Sequence, residues 1–110
     1  MNRKLIVNPD YFTLNVEQLY EMLCKKILEK KTIKSEYEKV PYEIYSADHA
    51  GIQFIRVDTD QEWHILKNEM VLVLEHIRKS HEFRMQDIKT LVERKQSPTI
   101  AFLVASDIIY

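Results

Sequence analysis

The chain has 110 residues, 45% of them hydrophobic, which predicts one domain over residues 1–110 with a single core. Its 16 Lys and Arg nearly balance 17 Asp and Glu, which excludes steering toward nucleic acid or anionic membranes by overall charge. The single cysteine excludes an internal disulfide, and no apolar run approaches the roughly 20 residues that cross a bilayer. Because the N-terminus has no signal-peptide pattern, we expect a cytoplasmic protein that does not associate with membranes.

The first third of the chain predicts a short strand and then a long helix. Residues 4–7 have strand composition and stop before Pro9, since proline cannot continue a ladder. Residues 15–31 have apolar positions at helical spacing, and Asn15 with Gln18 matches a capping box. The predicted buried face of this helix consists of Val16, Leu19, Tyr20, Leu23, Cys24, Ile27 and Leu28.

A hairpin is predicted around the only glycine of the chain. Residues 40–47 and 51–58 are rich in aromatic and β-branched residues, and the segment between them has the composition of a turn. The alternative is that Asp48 and His49 form a catalytic pair, but no nucleophile is readable at a known spacing. The turn is favoured because Gly51 can supply a positive φ and Asp48 can accept a hydrogen bond from a nearby amide.

The second half of the chain is more ambiguous. Read with a helical period, residues 60–83 contain one apolar stripe, formed by Trp63, Leu66, Met70, Val73, Leu74 and Ile77. Read with period two, the same region gives two strands. The interpretation adopted here is a helix over 60–68 followed by a buried strand over 69–78. Residues 84–95 then predict a short amphipathic helix that ends before a proline, and 99–109 predict a central strand.

These elements predict an α+β fold, with a mixed, partly barrel-like β-sheet and two to three flanking helices. Cys24 is expected to pack as a small hydrophobic side chain. His76 and His81 are five positions apart, which does not suit two metal ligands on one helical face, and one glycine cannot form a phosphate-binding loop. We therefore expect no metal site, no cofactor and no enzymatic activity.

A basic segment suggests a function. Residues 25–34 contain five lysines against one acid, and a tyrosine-rich segment follows. Lysines at a helix end can contact phosphates, and aromatic side chains on a sheet can stack on unpaired bases. The predicted nucleic-acid-binding residues are Lys25, Lys26, Lys30, Lys31, Lys34, Tyr37 and Tyr42. The alternative is a solvated helix end whose cations complement the helix dipole, beside half-buried tyrosines.

The order of the elements and the segment EKKTIKSEY resemble small PUA-like domains, particularly those of the ASCH type. In that type a Gly-x-Lys-Thr-x-Glu-x-Arg-like segment follows the N-terminal helix. Lys31 and Thr32 match it, whereas Glu29, Lys34 and Glu36 differ from it. The PrgU-like plasmid regulators are similar in size and class. The resemblance implies RNA binding by a barrel-like domain, with its groove at Lys30, Lys31 and Lys34.

Two functions from different classes follow from these observations. The first is a small regulatory protein that binds RNA or another nucleic acid, whose affinity falls with salt and on replacing Lys30 and Lys31 by Glu. The second is a protein-interaction or inhibitor domain that acts as a homodimer and has a concentration-dependent mass. Its surface is predicted at an apolar sheet edge or at the C-terminal residues Ile108, Ile109 and Tyr110.

Overall fold

The computed structural model of the protein describes residues 5–11, 13–35, 39–80, 82–83, 88–92 and 94–109. The elements in chain order are β1 (Leu5–Ile6), a 3₁₀ helix (Pro9–Tyr11), α1 (Val16–Lys30), β2 (Thr32–Lys34), β3 (Pro41–Asp48), β4 (Gly51–Arg56), β5 (Gln61–Leu66), α2 (Lys67–Ser80), β6 (Glu82–Phe83) and α3 (Gln96–Ala105). The strands β2-β3-β4-β5 form an antiparallel sheet in that order, and β1 pairs with β6. The predicted α+β class is confirmed, although the four-stranded sheet is open and not closed into a barrel.

The first helix forms as its sequence predicts. The side chain of Asn15 accepts a hydrogen bond from the Gln18 amide at 2.8 Å, and the Gln18 side chain accepts one from the Asn15 amide at 2.9 Å. These two bonds form the predicted capping box and satisfy amides that have no acceptor within the helix. The predicted face is buried apart from its two ends, since Val16 is half-buried and Leu28 is exposed.

The predicted hairpin is also confirmed. β3 and β4 are antiparallel and are joined by a two-residue turn, His49 and Ala50, with Asp48 opposite Gly51. Successive residues of a strand point to opposite faces of a sheet, so Tyr42 and Ile44 of β3 share one face with Ile52 and Phe54 of β4. The apolar side chains that face the helices are Tyr42, Ile44, Ala47, Ile52 and Phe54.

The interpretation of residues 60–78 as a helix and then a strand is wrong, because the two types occur in the opposite order. Gln61–Leu66 is the strand β5, and the helix α2 begins at Lys67. The Leu66 amide donates to the Glu69 side chain at 2.9 Å, which satisfies one free amide at the start of α2. The buried residues of α2 have helical spacing and are Met70, Val73, Leu74 and Ile77. Leu72, which a two-sided buried strand would also bury, is 47% exposed.

The two remaining predictions for the C-terminal region are wrong within the described residues. In place of the predicted helix over 84–95, residues 88–92 form turns, in which the amides of Leu91 and Val92 both donate to the Ile88 carbonyl. Residues 84–87 and 93 lie outside the described part. In place of the predicted strand, Gln96–Ala105 is the helix α3. Pro98 is tolerated there because it lies in the first turn, where a backbone donor is not needed.

The core lies between α3, the other helices and one face of the sheet. The Phe102 ring packs edge-on against the rings of Phe54 and Tyr42, at centroid distances of 4.9 and 6.0 Å. Ile108 and Ile109 are fully buried, and Ile109 forms a bridge with Val7. The prediction that Ile108 and Ile109 provide an interaction surface is therefore wrong, because they belong to the core. Tyr110, the third residue of that prediction, lies outside the described residues.

Candidate functional site

The basic segment occupies the end of α1 and the whole of β2. Lys31 has a φ of 59° and its amide donates to the Ile27 carbonyl at 2.9 Å, which ends the helix. The Lys31 carbonyl then accepts a hydrogen bond from the Ile44 amide at 2.7 Å, so the chain enters the sheet without a loop. Along β2 the side chains alternate, with Ile33 buried and Lys34 exposed. The turn therefore places lysines at the border of the sheet.

The structure brings three of the five lysines to this border and separates the other two. Lys30 and Lys34 line a groove of about 220 Å³ between β2 and the small side chains of α3, and exposed Lys31 lies between them in the chain. Lys25 lines a different cleft, on the side of α1 that faces the β3–β4 turn. Lys26 is engaged within the protein. We refer to Lys30, Lys31 and Lys34 as the border lysines.

Lys26 differs from its neighbours because it has partners. Its Nζ donates to the Tyr11 hydroxyl at 2.9 Å, lies 5.4 Å from the centre of that ring and 3.6 Å from the Asp107 carboxylate. The hydrogen bond to Tyr11 raises the pKa of Lys26. Releasing this amine to a phosphate would break those contacts, so Lys26 is poorly placed for the predicted role.

The border lysines have no such partners. Within the described residues, none of the three forms an ion pair or a side-chain hydrogen bond. Two other lysines do, since Lys67 contacts Glu17 at 3.0 Å and Lys95 contacts Glu69 at 3.1 Å. The border lysines thus form a local cationic patch on a chain whose formal net charge is −1. Such a patch can bind anions without any loss of internal ion pairs.

Of the two tyrosines predicted to stack on bases, only Tyr42 lies in the described part of the chain. Tyr42 is only 3% exposed, and its ring packs against Phe54 and Phe102. The prediction of Tyr42 as a nucleic-acid-binding residue is therefore wrong, because its ring belongs to the core. Tyr37 lies outside the described residues.

Sequence reasoning missed Tyr45, which lies on the opposite face of the same strand. Its side chain is 56% exposed on the face of the sheet away from the helices, and it lines a cavity of about 240 Å³ together with Gln53, Phe54, Glu62, Trp63 and His64. We call this surface, formed by Glu43, Tyr45, Ser46, Gln53, Ile55, Glu62 and His64, the open face. The period-two alternation of β3 could have identified Tyr45, because the pattern that buries Tyr42 and Ile44 turns the next residue outward.

Asp48 ends β3, and His49 begins the two-residue turn that follows it. The Asp48 side chain accepts a hydrogen bond from the Ala50 amide at 2.9 Å, and its carbonyl accepts one from the Tyr20 hydroxyl at 2.6 Å. His49 is exposed at the tip of the hairpin. Asp48 is thus used for local structure, as predicted.

The cleft beside this turn has a volume of about 330 Å³ and contains Cys24. Cys24 is buried, and burial raises the pKa of its thiol. Burial also raises the pKa of the adjacent Tyr20, over whose ring the Lys67 amine lies at 5.3 Å. Because the thiolate is the nucleophilic form, these shifts oppose reactivity at Cys24, which packs as a small hydrophobic side chain as predicted.

A second basic cleft, of about 620 Å³, is lined by Lys89, Thr90, Arg94 and Gln96.

Within the described ranges no three acidic, histidine or cysteine side chains converge to hold a metal ion. None of the described helices is both long and apolar enough to span a bilayer.

Comparisons of the chain with protein-family models, with curated proteins and with solved structures give no match.

Proposed function

We propose that the protein is a small, non-catalytic regulatory protein that binds RNA through the border lysines. The observation that carries this proposal is that three exposed lysines, without ion pairs to described residues, lie at one sheet border. Cations that are not neutralised within a protein contribute most to binding a polyanion, because each can replace a condensed counterion. The resemblance of the segment around Lys31 and Thr32 to ASCH-type proteins points to the same surface.

An anisotropy titration tests the proposal. A labelled single-stranded RNA and its duplex are titrated at about 50 and 200 mM salt with wild type and with the double variant Lys30→Glu/Lys31→Glu. We expect saturable binding by wild type that weakens with salt, and affinity reduced by ~10-fold or more in the variant. The matched control is Lys89→Glu/Arg94→Glu, which makes the same charge change at the second basic cleft.

The control separates a specific surface from a general charge effect. We expect the control variant to bind within about 3-fold of wild type. Equal losses in both double variants would mean that net charge, not the border lysines, determines binding. Absence of wild-type binding at low salt would overturn the proposal. Circular dichroism of each variant checks that the fold is retained.

A second candidate function is self-association through the outer edge of β5. This strand is the last of the sheet, and its end residue Leu66 is exposed together with Val57 of the preceding turn. An exposed edge strand presents unpaired backbone groups on which a second chain can add. This candidate predicts that light scattering shows the monomer mass at low protein concentration and twice that mass at high concentration. The variant Lys30→Glu/Lys31→Glu should dimerise as wild type does.

A further inference from the structure

Tyr45 has the most exposed large apolar side chain in the described part of the chain. The other such exposed residues are aliphatic, namely Ile6, Leu28, Val57, Leu66 and Leu72. The remaining ring of β3, that of Tyr42, is packed in the core. A ring that is more than half exposed buries little area within the protein, so its contribution to folding is small. Its position therefore suits contact with a ligand.

The backbone of β3 directs this side chain outward. Ile44 pairs with Phe54 and Ser46 pairs with Gln53, so Tyr45 is the extra residue of a β-bulge. A bulge bends its strand and changes the direction of side chains, and bulges are frequent next to functional sites. Here the bulge places Tyr45 and Ser46 side by side on the open face.

The cavity beside the ring is lined by the hydrogen-bonding residues Gln53, Glu62 and His64 and by Phe54 and Trp63. The Gln53 side-chain oxygen accepts a bond from the Ser46 hydroxyl at 3.3 Å, which leaves the Gln53 amide group as a donor. Glu62 offers carboxylate acceptors and forms no ion pair with the described residues. A donor and an acceptor beside an aromatic ring match the edge and the face of a nucleobase.

One of the border lysines, Lys31, lies beside this part of β3, whereas Lys34 lies opposite Pro41 at the other end of β2. The Lys31 carbonyl pairs with the amide of Ile44, the residue before Tyr45, so the two backbones are one strand spacing apart, ~4.8 Å. Glu43 and Glu62 make the middle of the open face acidic, which repels phosphate. A single strand that crosses the edge of the sheet at β2 fits this charge pattern, with its phosphates at the border lysines and one base over the open face.

We propose that one unpaired base of a single-stranded RNA stacks on Tyr45, with Gln53 and Glu62 contacting its edge. This inference rests on the proposed function, because the border lysines hold the phosphates of the same strand. We therefore expect the site at Tyr45 to bind single-stranded RNA in preference to duplex RNA, since a paired base has no free face or Watson–Crick edge to offer.

The test uses a single-stranded RNA that contains 2-aminopurine, whose fluorescence is quenched when the base stacks. The variants are Tyr45→Ala and Tyr45→Phe, with Leu72→Ala as a control for loss of an exposed apolar side chain on α2. Removing the ring is expected to weaken binding ~5- to 100-fold and to abolish quenching, while Tyr45→Phe keeps both within about 3-fold of wild type. The control behaves as wild type.

Binding of polyphosphate, which has phosphates but no bases, distinguishes a wrong stacking site at Tyr45 from a wrong assignment of the border lysines. Tyr45→Ala should bind polyphosphate as wild type does, whereas Lys30→Glu/Lys31→Glu should lose both polyphosphate and RNA. RNA binding that depends on the border lysines but is unchanged in Tyr45→Ala would overturn the stacking site and leave the proposed function intact. No RNA binding by wild type would overturn both.

Discussion

Gly51 has a φ of 138°, in a region that residues with a side chain rarely adopt. A Cβ at this position would meet the Ile65 carbonyl oxygen of β5 and lie 2.9 Å from the His64 Nε2. The glycine therefore permits both the hairpin turn and the close approach of the next strand. Only the first of these two duties is visible in the sequence, because the second depends on the pairing of β4 with β5.

Replacing Gly51 by alanine is expected to lower the free energy of unfolding by about 2 kcal/mol or more, through backbone strain and contact with the Ile65 carbonyl. Urea denaturation measures the loss. The neighbouring turn residue provides the control, since Ala50→Gly should change stability by less than about 1 kcal/mol. Equal and small effects at both positions would contradict the close approach of β5 seen here.

At the scale of elements, α2 is the segment whose type matters most for the fold. In a helix Leu72 and Leu74 lie about 200° apart, whereas in a strand they share one face. The structure exposes Leu72 and buries Leu74 fully. Leu74→Ala is expected to lower the free energy of unfolding by about 3 kcal/mol, and Leu72→Ala by less than about 0.5 kcal/mol.

Urea denaturation of both leucine variants checks this prediction, and each is the matched control of the other because the atoms removed are the same. Similar large losses in the two variants would indicate a strand with both side chains on one buried face. The helix requires a clear difference between them.

The elements that the sequence predicts well are those with a local signal. α1 has a capping box and a periodic face, and the β3–β4 hairpin has a turn with a glycine. α3 has neither, because it is buried on almost all sides and its apolar residues show no period. Trp63 and Leu66 continue the helical spacing of α2 by coincidence, which favours a helix where β5 lies. The valine- and leucine-rich run of α2 is short and apolar on both faces, which is typical of a buried strand.

The candidate site, too, is predictable from the sequence only where its signal is local. The lysine run is visible in the sequence, but neighbouring helix residues point about 100° apart, so Lys25 and Lys26 occupy different surfaces. Which lysines act together depends on how α1 packs. The choice between Tyr42 and Tyr45 likewise required knowing which face of β3 the helices cover.

At the scale of the whole molecule, the three helices pack on one side of the sheet and leave a polar face with a basic border. The contacts of α3 with β2 and of α2 with β4 and β5 all lie on that covered side. Within the described residues, the open face carries acidic and neutral polar groups around Tyr45 and the buried Ile55, while the border lysines supply positive charge at the edge of the sheet. Charge is therefore segregated although the chain is nearly neutral overall.

This segregation predicts that the affinity for RNA depends only weakly on salt concentration, with a slope set by the number of border lysines that contact phosphates. For single strands the slope of log K against log salt is about −0.7 per phosphate neutralised, so three border lysines give a slope of about −2. Each change of Lys30, Lys31 or Lys34 to Gln should reduce the slope by ~0.7, whereas Tyr45→Ala should leave it unchanged and lower K at every salt concentration. Anisotropy titrations over a series of salt concentrations measure both quantities. A slope near −5 would mean that lysines beyond the border take part, with Lys25 and the cleft at Lys89 and Arg94 as the next surfaces to neutralise.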